Sequence, residues 1–312
     1  MAADTRLDVD TQLTPLLETF PEIPLNAETL PSFRAALQQM AQLPEPGAHS
    51  GVRVEEVQVP RNDGSGDIRC LLIVPSPGPS RGALLHVHGG GFVMGLPEMD
   101  AARNIALAEA LGCEILSVEY RLAPEHPHPA GLEDCHQVLD WLAGRAGRDR
   151  APIGLIGESA GGAIAASLAL LARDRATVPL ACQVLIYPML CPPGSEAKLT
   201  ARDQRIGRHV WPRESNTFGW EAYLGGQPGD PRTLAGIAQD LSGLPPAFVA
   251  VGELDLFVHD DLAFASRLMA AGTSVEAHCY SGAFHGFDRM AEADVSLRFT
   301  RDLLDFLHRN LG

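Results

Sequence analysis

Apolar and polar residues alternate in a strand-like pattern after residue 50. Residues 52–59 alternate apolar and polar side chains, and residues 68–74 form a short apolar run. Residues 83–87 form another apolar run after the loop 75–82. Runs of this length, bounded by turn-forming residues, are typical of strands. The sequence therefore predicts three consecutive strands.

From residue 114 onwards, short apolar runs alternate with longer segments whose apolar residues recur at helical spacing. This alternation predicts parallel strands joined by right-handed helical crossovers. We therefore expect an α/β fold with a mostly parallel sheet that helices cover on both faces. The predicted strands are 114–118, 153–156, 182–187, 247–251 and 275–280, and the predicted helices are 131–145, 160–173, 262–271 and about 294–311.

Two segments depart from this alternation. The first fifty residues show helical patterns interrupted by prolines, at Pro21 and within 43–47. Residues 190–226 contain Pro192-Pro193-Gly194, many charges and several aromatic side chains. An insertion of this length between strands is usually functional or forms a small subdomain. We therefore expect a catalytic domain of residues 49–189 and 227–312, with a helical cap built from residues 1–48 and the insertion.

Composition and charge narrow the class of protein. Hydrophobic residues make up 46% of the chain and charged residues 20%, which is ordinary for a globular enzyme. The net charge of −15 would repel a nucleic-acid backbone. No apolar run is long enough for a membrane helix, and the N-terminus lacks the apolar core of a signal peptide. The six cysteines are scattered without a CxxC pair, which favours a reduced, cytoplasmic protein without a cysteine zinc site. We therefore expect neither nucleic acid nor a membrane as a partner.

The pattern G-x-S-x-G, which can hold a nucleophilic serine, occurs around Ser159 and again around Ser80. Ser159 follows a predicted strand and precedes the helix that begins at Ala160. In α/β-hydrolases this strand–turn–helix setting lifts the serine hydroxyl above the edge of the sheet. Ser80 lies in a proline-rich loop before a strand, where a surface turn is the better interpretation. A simple helix N-cap is the alternative role for Ser159, and we expect it to be the nucleophile.

A glycine-rich segment, His88-Gly89-Gly90-Gly91, ends the strand 83–87. Serine attack on an ester creates an oxyanion that preorganised N–H donors must stabilise. In α/β-hydrolases these donors come from the residue after the nucleophile and from the loop after the third strand. The predicted oxyanion-hole donors are the backbone amides of Gly90, Gly91 and Ala160. A flexible loop and a phosphate cradle are the alternatives, but the spacings of the phosphate-binding glycine motifs are absent.

The catalytic base is predicted from chain order, which in α/β-hydrolases is Ser, then Asp or Glu, then His. His285 follows the last predicted strand, 275–280, and lies in a loop that also contains Gly282 and Gly286. A histidine in this loop can reach the serine at the same edge of the sheet. We therefore expect His285 to accept the proton of Ser159.

The acid of the triad should follow the penultimate strand, 247–251. Asp255 has this position and precedes His285 by 30 residues, so we expect it to orient the imidazole. Three other acids lie nearby. Asp260 and Asp261 fit the first turn of the next helix, where their negative charges interact favourably with the helix dipole. Glu253 is expected to fix the loop backbone.

Two H-x-H pairs, His86 with His88 and His126 with His128, suggest a metal site. Neither pair has the accompanying Asp and His residues of a metallohydrolase, and His86 lies within a strand. We therefore expect no metal. We expect His88 to hold the glycine-rich segment by hydrogen bonds.

Together these motifs resemble the hormone-sensitive-lipase-like esterases, the bacterial group often called family IV. The resemblance runs from about residue 50 to the C-terminus. It rests on His88-Gly89-Gly90-Gly91, Tyr120-Arg121-Leu122-Ala123-Pro124-Glu125-His126-Pro127, Gly157-Glu158-Ser159-Ala160-Gly161-Gly162 and His285-Gly286-Phe287.

The resemblance implies an α/β-hydrolase fold with an eight-stranded, mostly parallel sheet, a helical cap, a preference for short acyl chains and no cofactor. It also implies that Arg121 and Glu125 hold the loop beside the active site, for which a structural ion pair is the favoured interpretation. Family members often form homodimers through the edge strand, here residues 275–280. The chain departs from the family at Glu158, where Asp is frequent, and after Asp255, where Leu256 and Phe257 replace Pro and Leu.

These predictions describe a serine carboxylesterase that acts on small esters of short to medium chain length. Phe92, Trp211 and Phe218 are candidates for the acyl pocket, with ordinary packing as an equal alternative.

An amidase or a lactonase would use the same triad. The plant hormone receptors that resemble the family lack the working histidine, which disfavours a non-catalytic receptor here. A metal-dependent hydrolase, unlike a serine esterase, would lose activity with a chelator.

Overall fold

An eight-stranded sheet runs through the centre of the protein. The computed structural model describes residues 8–20, 24–40, 42–43, 51–76, 80–145, 151–194 and 205–311. The strands are β1 (Val52–Pro60), β2 (Asp67–Pro75), β3 (Ala83–Val87), β4 (Glu114–Val118), β5 (Ile153–Glu158), β6 (Cys182–Ile186), β7 (Ala247–Gly252) and β8 (Val275–Tyr280).

The order of the strands in the sheet is β1-β2-β4-β3-β5-β6-β7-β8. Strand β2 is antiparallel to both of its neighbours, and the pairs from β4 to β8 are parallel. Every residue of β3, β5, β6 and β7 is buried, which explains why these strands are mostly apolar and lack an alternating polar face. The predicted α/β-hydrolase fold with a mostly parallel sheet is thus confirmed. Loops that follow the parallel strands meet at one edge of the sheet, where such folds bind ligands.

Helices cover both faces of the sheet, as predicted. The helices are α1 (Thr14–Leu17), α2 (Leu30–Met40), α3 (Ala101–Leu111), α4 (Ala130–Ala143), α5 (Ala160–Arg175), α6 (Arg213–Leu224), α7 (Val258–Ala270) and α8 (Asp294–Leu311). Alternate strand residues face opposite ways, so Leu85 and Leu155 pack with α4 and α5 in one apolar cluster. Leu84 and Ile156 pack with α3 and α8 in a second cluster on the other face.

Helix α3 is an element that the sequence analysis did not predict. Its buried side chains include Ile105, Leu107 and Leu111, and its C-terminus is capped by Gly112 in the left-handed conformation. Elsewhere the predicted strands and helices are present with ends shifted by a few residues. The largest shift is at α7, which begins at Val258 and not at residue 262, so the two aspartates lie in its first turn.

The N-terminal segment and the 190–226 insertion contact each other at the edge of the sheet that carries the loops. The Leu25 amide donates a hydrogen bond to the Ser215 hydroxyl of α6, 3.0 Å away. Helices α2 and α6 together line a surface groove with Leu30 on one side and Ala222 on the other. The proline interruptions predicted at residues 21 and 44–47, part of the loop 75–82 and residues 195–204 of the insertion lie outside the described residues. None of the described helices has the length and apolar character needed to cross a membrane.

Candidate active site

Ser159 lies on a sharp turn between β5 and α5. Its backbone has φ 54° and ψ −121°, a strained conformation that non-glycine residues rarely adopt. The turn requires small neighbours, because a Cβ at Gly157 would lie 2.4 Å from the Gly161 carbonyl oxygen. A Cβ at Gly161 would lie 2.0 Å from the Val87 carbonyl oxygen of β3. The two glycines of the motif therefore let helix α5 approach the strands closely enough to hold the serine above the sheet edge.

The loops after β5, β7 and β8 bring Ser159, Asp255 and His285 into one hydrogen-bonded row. The His285 Nε2 atom lies 3.0 Å from the Ser159 Oγ atom. On the other side of the ring, Nδ1 lies 2.7 Å from the Asp255 Oδ2 atom. The second carboxylate oxygen of Asp255 accepts the Phe257 amide at 3.0 Å, so the acid is fixed from two directions. All three side chains are buried.

Aromatic rings surround the imidazole of His285. The ring centroids of Tyr187, Phe257 and Trp211 lie 4.6, 5.3 and 6.4 Å from that of His285. These rings restrict how far the imidazole can tilt and reduce its contact with water. Neither Tyr187 nor Phe257 was predicted to belong to the site, because an aromatic residue next to a strand end has no distinguishing pattern.

The glycine-rich segment lies beside Ser159. A Cβ at Gly89 would lie 3.5 Å from the Ser159 Cβ atom, and a Cβ at Gly91 would lie 2.3 Å from the Trp211 ring. Among the turn and loop hydrogen bonds between backbone groups of the described residues, none has the amide of Gly90 or Gly91 as its donor. Ala160 is the first residue of α5, where a backbone amide has no partner within the helix. These three predicted donors are therefore available to a ligand at this edge.

His88 holds the glycine-rich segment, as the sequence analysis expected. Its Nδ1 atom lies 2.8 Å from the Gly89 carbonyl oxygen, and its ring stacks on Tyr120 at 4.3 Å between centroids. The Tyr120 hydroxyl donates to the His88 carbonyl oxygen at 2.9 Å. Burial lowers the pKa of His88 to about 4, so the ring is neutral near pH 7 and its Nδ1–H can donate to Gly89.

The three aromatic residues predicted to line the acyl pocket occupy different environments. Trp211 lies between Gly91 and His285. Phe92 is buried and stacks on Tyr223 of α6 at 3.9 Å. Phe218 lines the groove between α2 and α6. Trp211 is thus the member of this set that lies against the predicted catalytic residues.

The acids that competed with Asp255 have other contacts. Glu253 accepts hydrogen bonds from the Ser281 hydroxyl at 2.8 Å and from the Gly282 amide at 3.1 Å, which confirms that it fixes the loop before His285. Asp260 and Asp261 lie in the first turn of α7, as expected. Burial raises the pKa of Asp261 well above its usual range, because removal from water disfavours the charged carboxylate.

Arg121 and Glu125 both form ion pairs, but with different partners. Arg121 binds Asp134, which is fully buried at the start of α4. Glu125 binds Arg34 of α2 through both carboxylate oxygens, at 2.6 and 2.9 Å. The Arg34 guanidinium also donates to the carbonyl oxygen of Val93, two residues after the glycine-rich segment, at 2.7 Å. Helix α2 is therefore tied to the loop beside the active site.

Among the described residues, His86, Asp100 and Glu158 could hold a metal ion, since their donor atoms lie within 4.8 Å of one another. Arg103 already contacts both carboxylates of this group. The Arg103 guanidinium therefore supplies, next to Asp100 and Glu158, the positive charge that a metal ion would otherwise supply. Of the second H-x-H pair, His128 binds the Tyr223 hydroxyl at 3.0 Å and the Thr233 hydroxyl at 2.8 Å, which are not metal-site contacts.

The arrangement is suited to acyl transfer. A hydroxyl, an imidazole and a carboxylate in this order can remove the serine proton as the oxygen attacks a carbonyl carbon. Free backbone amides beside the hydroxyl can stabilise the negative charge that develops on the carbonyl oxygen.

Comparisons with known proteins identify a family and several similar esterases. Residues 84–289 match the model of a family described as having the α/β hydrolase fold. The chain is 36% identical over 300 residues to the carboxylesterase NlhH of Mycobacterium tuberculosis, covering 92% of this chain and 91% of that protein. It is similar to the structure of a bacterial heroin esterase, with 31% identity, a TM-score of 0.89 and 99% of each chain covered. The esterase LipW of Mycobacterium marinum is also similar, with 31% identity, a TM-score of 0.86 and 98% and 97% of the two chains covered.

Proposed function

The chain belongs to the α/β-hydrolase family, among the hormone-sensitive-lipase-like carboxylesterases, and we propose that it hydrolyses small esters of short to medium chain length through an acyl-enzyme on Ser159. The observation that carries this proposal is the row formed by Ser159, His285 and Asp255, with separations of 3.0 and 2.7 Å. The resemblance that the motifs suggested is confirmed at the level of family and enzyme class.

In the first step, the Ser159 oxygen attacks the ester carbonyl carbon while His285 Nε2 accepts the hydroxyl proton. Asp255 accepts a hydrogen bond from Nδ1–H, which keeps the imidazole in the tautomer that leaves Nε2 free to accept. It also stabilises the imidazolium ion that forms. The protonated Nε2 then donates to the leaving alcohol oxygen, and the acyl group remains on Ser159.

In the second step, water replaces the alcohol. His285 takes a proton from the water as its oxygen attacks the acyl carbon, and returns a proton to Ser159 as the carboxylic acid leaves. The tetrahedral oxyanion of each step is stabilised by the amides of Gly90, Gly91 and Ala160. Ala160 is the first residue of α5, so the partial positive charge at that helix end adds to the stabilisation.

The proposal includes a cap formed by residues 1–48 and 190–226 over the catalytic domain of residues 49–189 and 227–312. Its support is the contact of Leu25 with Ser215 and the bond from Arg34 to Val93. Trp211 is the proposed acyl-pocket wall nearest to the triad, with Phe92 and Phe218 more remote. A homodimer through β8 also belongs to the proposal, since β8 is one of the two terminal strands of the described sheet.

A substrate panel tests the reaction type. We expect turnover of p-nitrophenyl acetate, butyrate and hexanoate, with the rate falling for the laurate ester. The butyryl p-nitroanilide and a simple lactone should be turned over more slowly than the butyrate ester. EDTA should leave the rate unchanged, because no step of the proposed mechanism uses a metal ion. Faster cleavage of the anilide or the lactone would identify an amidase or a lactonase, and inhibition by EDTA would contradict the serine mechanism.

Substitution of Gly90 by alanine tests the oxyanion hole. Gly90 has φ 117°, and a Cβ there would lie 2.0 Å from the Met94 carbonyl oxygen, so the loop must move. We expect kcat for p-nitrophenyl butyrate to fall by about 10²- to 10³-fold, as when one oxyanion donor is lost, with a smaller change in KM.

Gly64→Ala is the matched control for this loop variant. Gly64 also has a positive φ, 73°, but no atom lies within 4 Å of a Cβ there, and it occupies the turn between β1 and β2. Its kcat should stay within about twofold of the original value, because only local backbone strain is added. Equal kcat values for the Gly90 and Gly64 variants would reject the assigned donors.

A further inference from the structure

A buried ionic bridge joins the two loops that carry Ser159 and His285. Arg103, in the first turn of α3, donates through one guanidinium nitrogen to Asp288 Oδ2 at 2.8 Å. Its other terminal nitrogen donates to a carboxylate oxygen of Glu158. Glu158 directly precedes Ser159, and Asp288 follows His285 by three residues. A single side chain thus connects the backbone next to the nucleophile with the backbone next to the base.

The Glu158 end of the bridge is fixed by a second contact. The other carboxylate oxygen of Glu158 lies 3.1 Å from His86 Nε2. The opposite ring nitrogen of His86 lies 2.7 Å from the Ser117 hydroxyl on the neighbouring strand β4. Both Glu158 and His86 are buried. The side chain that precedes the strained serine is therefore held between helix α3 and the centre of the sheet.

The Asp288 end of the bridge reaches the catalytic imidazole through Tyr187. The second carboxylate oxygen of Asp288 accepts the Tyr187 hydroxyl at 2.7 Å. The ring of Tyr187 packs on His285 with 4.6 Å between centroids. When Arg103 holds Asp288, Asp288 holds the tyrosine, and the tyrosine ring limits the positions available to the imidazole.

The charges of this cluster depend on Arg103. Its guanidinium lies among the carboxylates of Glu158, Asp288 and Asp100, and keeps 20% exposure. Burial alone would lower the pKa of Arg103. The three carboxylates raise this pKa by more than burial lowers it, so Arg103 stays protonated. Arg289 is a second cation of the cluster and contacts Asp100 at 3.4 Å. Removal of Arg103 would therefore leave Glu158 and Asp288 without their shared cation.

We propose that Arg103 is a positioning residue of the esterase, which sets the separation between Ser159 Oγ and His285 Nε2 by bridging Glu158 and Asp288. This inference rests on the proposed function, because it assigns those two atoms to proton transfer. Ser159 is a single residue with a strained backbone between β5 and α5, and His285 lies in the irregular segment that follows β8. Displacement of a reacting group by about 1 Å can cost about 10²-fold in rate, so a bridge that holds both loops affects kcat more than substrate binding.

Arg103→Met tests the bridge, with Arg61→Met as the matched control. Arg61 has 12% side-chain exposure and also pairs with a buried carboxylate, Asp134, but lies at the β1–β2 turn. Both variants should lose thermal stability. Arg103→Met should lower kcat for p-nitrophenyl butyrate about 30-fold, with KM within about threefold, whereas Arg61→Met should keep kcat within about twofold. Equal kcat values after correction for the folded fraction would overturn the proposal.

Two gentler variants separate positioning from charge and remain informative if Arg103→Met does not fold. Arg103→Lys keeps the charge, but a single ammonium group cannot span both carboxylates as the planar guanidinium does. It should recover most of the lost Tm while kcat stays about 10-fold low. Asp288→Asn should lower kcat about threefold to 10-fold with little change in Tm. Full recovery of kcat in Arg103→Lys, or unchanged kcat in Asp288→Asn, would assign the cluster to folding stability alone.

Failure of this inference is distinguishable from failure of the proposed function. If the unsubstituted enzyme cleaves the ester and Ser159→Ala does not, the proposed function stands whatever the Arg103 variants do. If Ser159→Ala retains full activity, the proposed function fails, and with it the reaction that Arg103 is inferred to support.

Discussion

Replacement of Ser159 by alanine is expected to lower kcat for p-nitrophenyl butyrate by about 10⁴-fold or more, while the protein stays folded. The variant removes the oxygen that attacks the ester and leaves His285 and Asp255 in place. Little stability should be lost, since the variant removes the hydrogen bond between the Ser159 hydroxyl and His285 and keeps the surrounding packing. Alanine also keeps a Cβ at the strained position. Initial rates, circular dichroism and Tm would be measured together.

Ser80→Ala is the control, because Ser80 occupies the second G-x-S-x-G pattern of the chain. Its hydroxyl accepts the Glu114 amide at 2.9 Å and has a structural role in the loop before β3. We expect a stability loss of about 1 kcal/mol and unchanged kcat. Turnover by Ser159→Ala at the level of Ser80→Ala would contradict the assignment of the nucleophile.

Asp255→Asn is expected to lower kcat by about 10⁴-fold with a small effect on folding. The carboxamide has nearly the shape of the carboxylate and can still accept the Phe257 amide. Its NH₂ group, however, would donate to His285 Nδ1 and leave the proton on Nε2, so that the ring could no longer accept from Ser159. The loss should appear in kcat more than in KM, because the imidazole does its work in the transition state.

Asp261→Asn provides a control for burial of the substituted carboxyl group. Asp261 is fully buried in the first turn of α7, and burial raises its pKa, which favours the neutral form that asparagine resembles. We expect kcat within about threefold of the original value, as for substitutions outside the reacting groups. If both asparagine variants lost the same small factor, Asp255 would not be the residue that orients His285.

The fold was predictable because each central strand of the sheet is buried on both faces. β3, β5, β6 and β7 are mostly apolar, and the helices between them show helical spacing, so sequence pattern and structure coincide. Helix α3 was missed because it follows a glycine-rich loop. Its apolar residues were not recognised there as a helical face.

Candidate site residues were predictable where a motif or chain order constrains them. The glycines around Ser159 are required by the close approach of α5 to the strands, and Asp255 and His285 follow the ends of successive strands. The chain-order argument thus named the three side chains that the structure brings within hydrogen-bonding distance.

The Arg103 bridge could not be predicted, because its pairs join residues that are remote in sequence. Arg103 is 55 residues from Glu158 and 185 from Asp288. Nothing in the residue types indicates which carboxylate meets which guanidinium. The same holds for Arg34 and Glu125, which are 91 residues apart, and whose contact depends on how helix α2 packs. Such contacts follow from tertiary packing, whereas motifs record only local geometry.

Covalent labelling with a p-nitrophenyl alkylphosphonate tests most directly whether Ser159 is a nucleophile activated by His285. The enzyme would be incubated with the reagent, and peptide mass spectrometry would locate the adduct. We predict one phosphonyl group per chain, on Ser159, and labelling of His285→Ala that is slower by about 10³-fold or more, since the serine then lacks its base. An adduct on another residue, or equal labelling rates with and without the imidazole, would contradict the account.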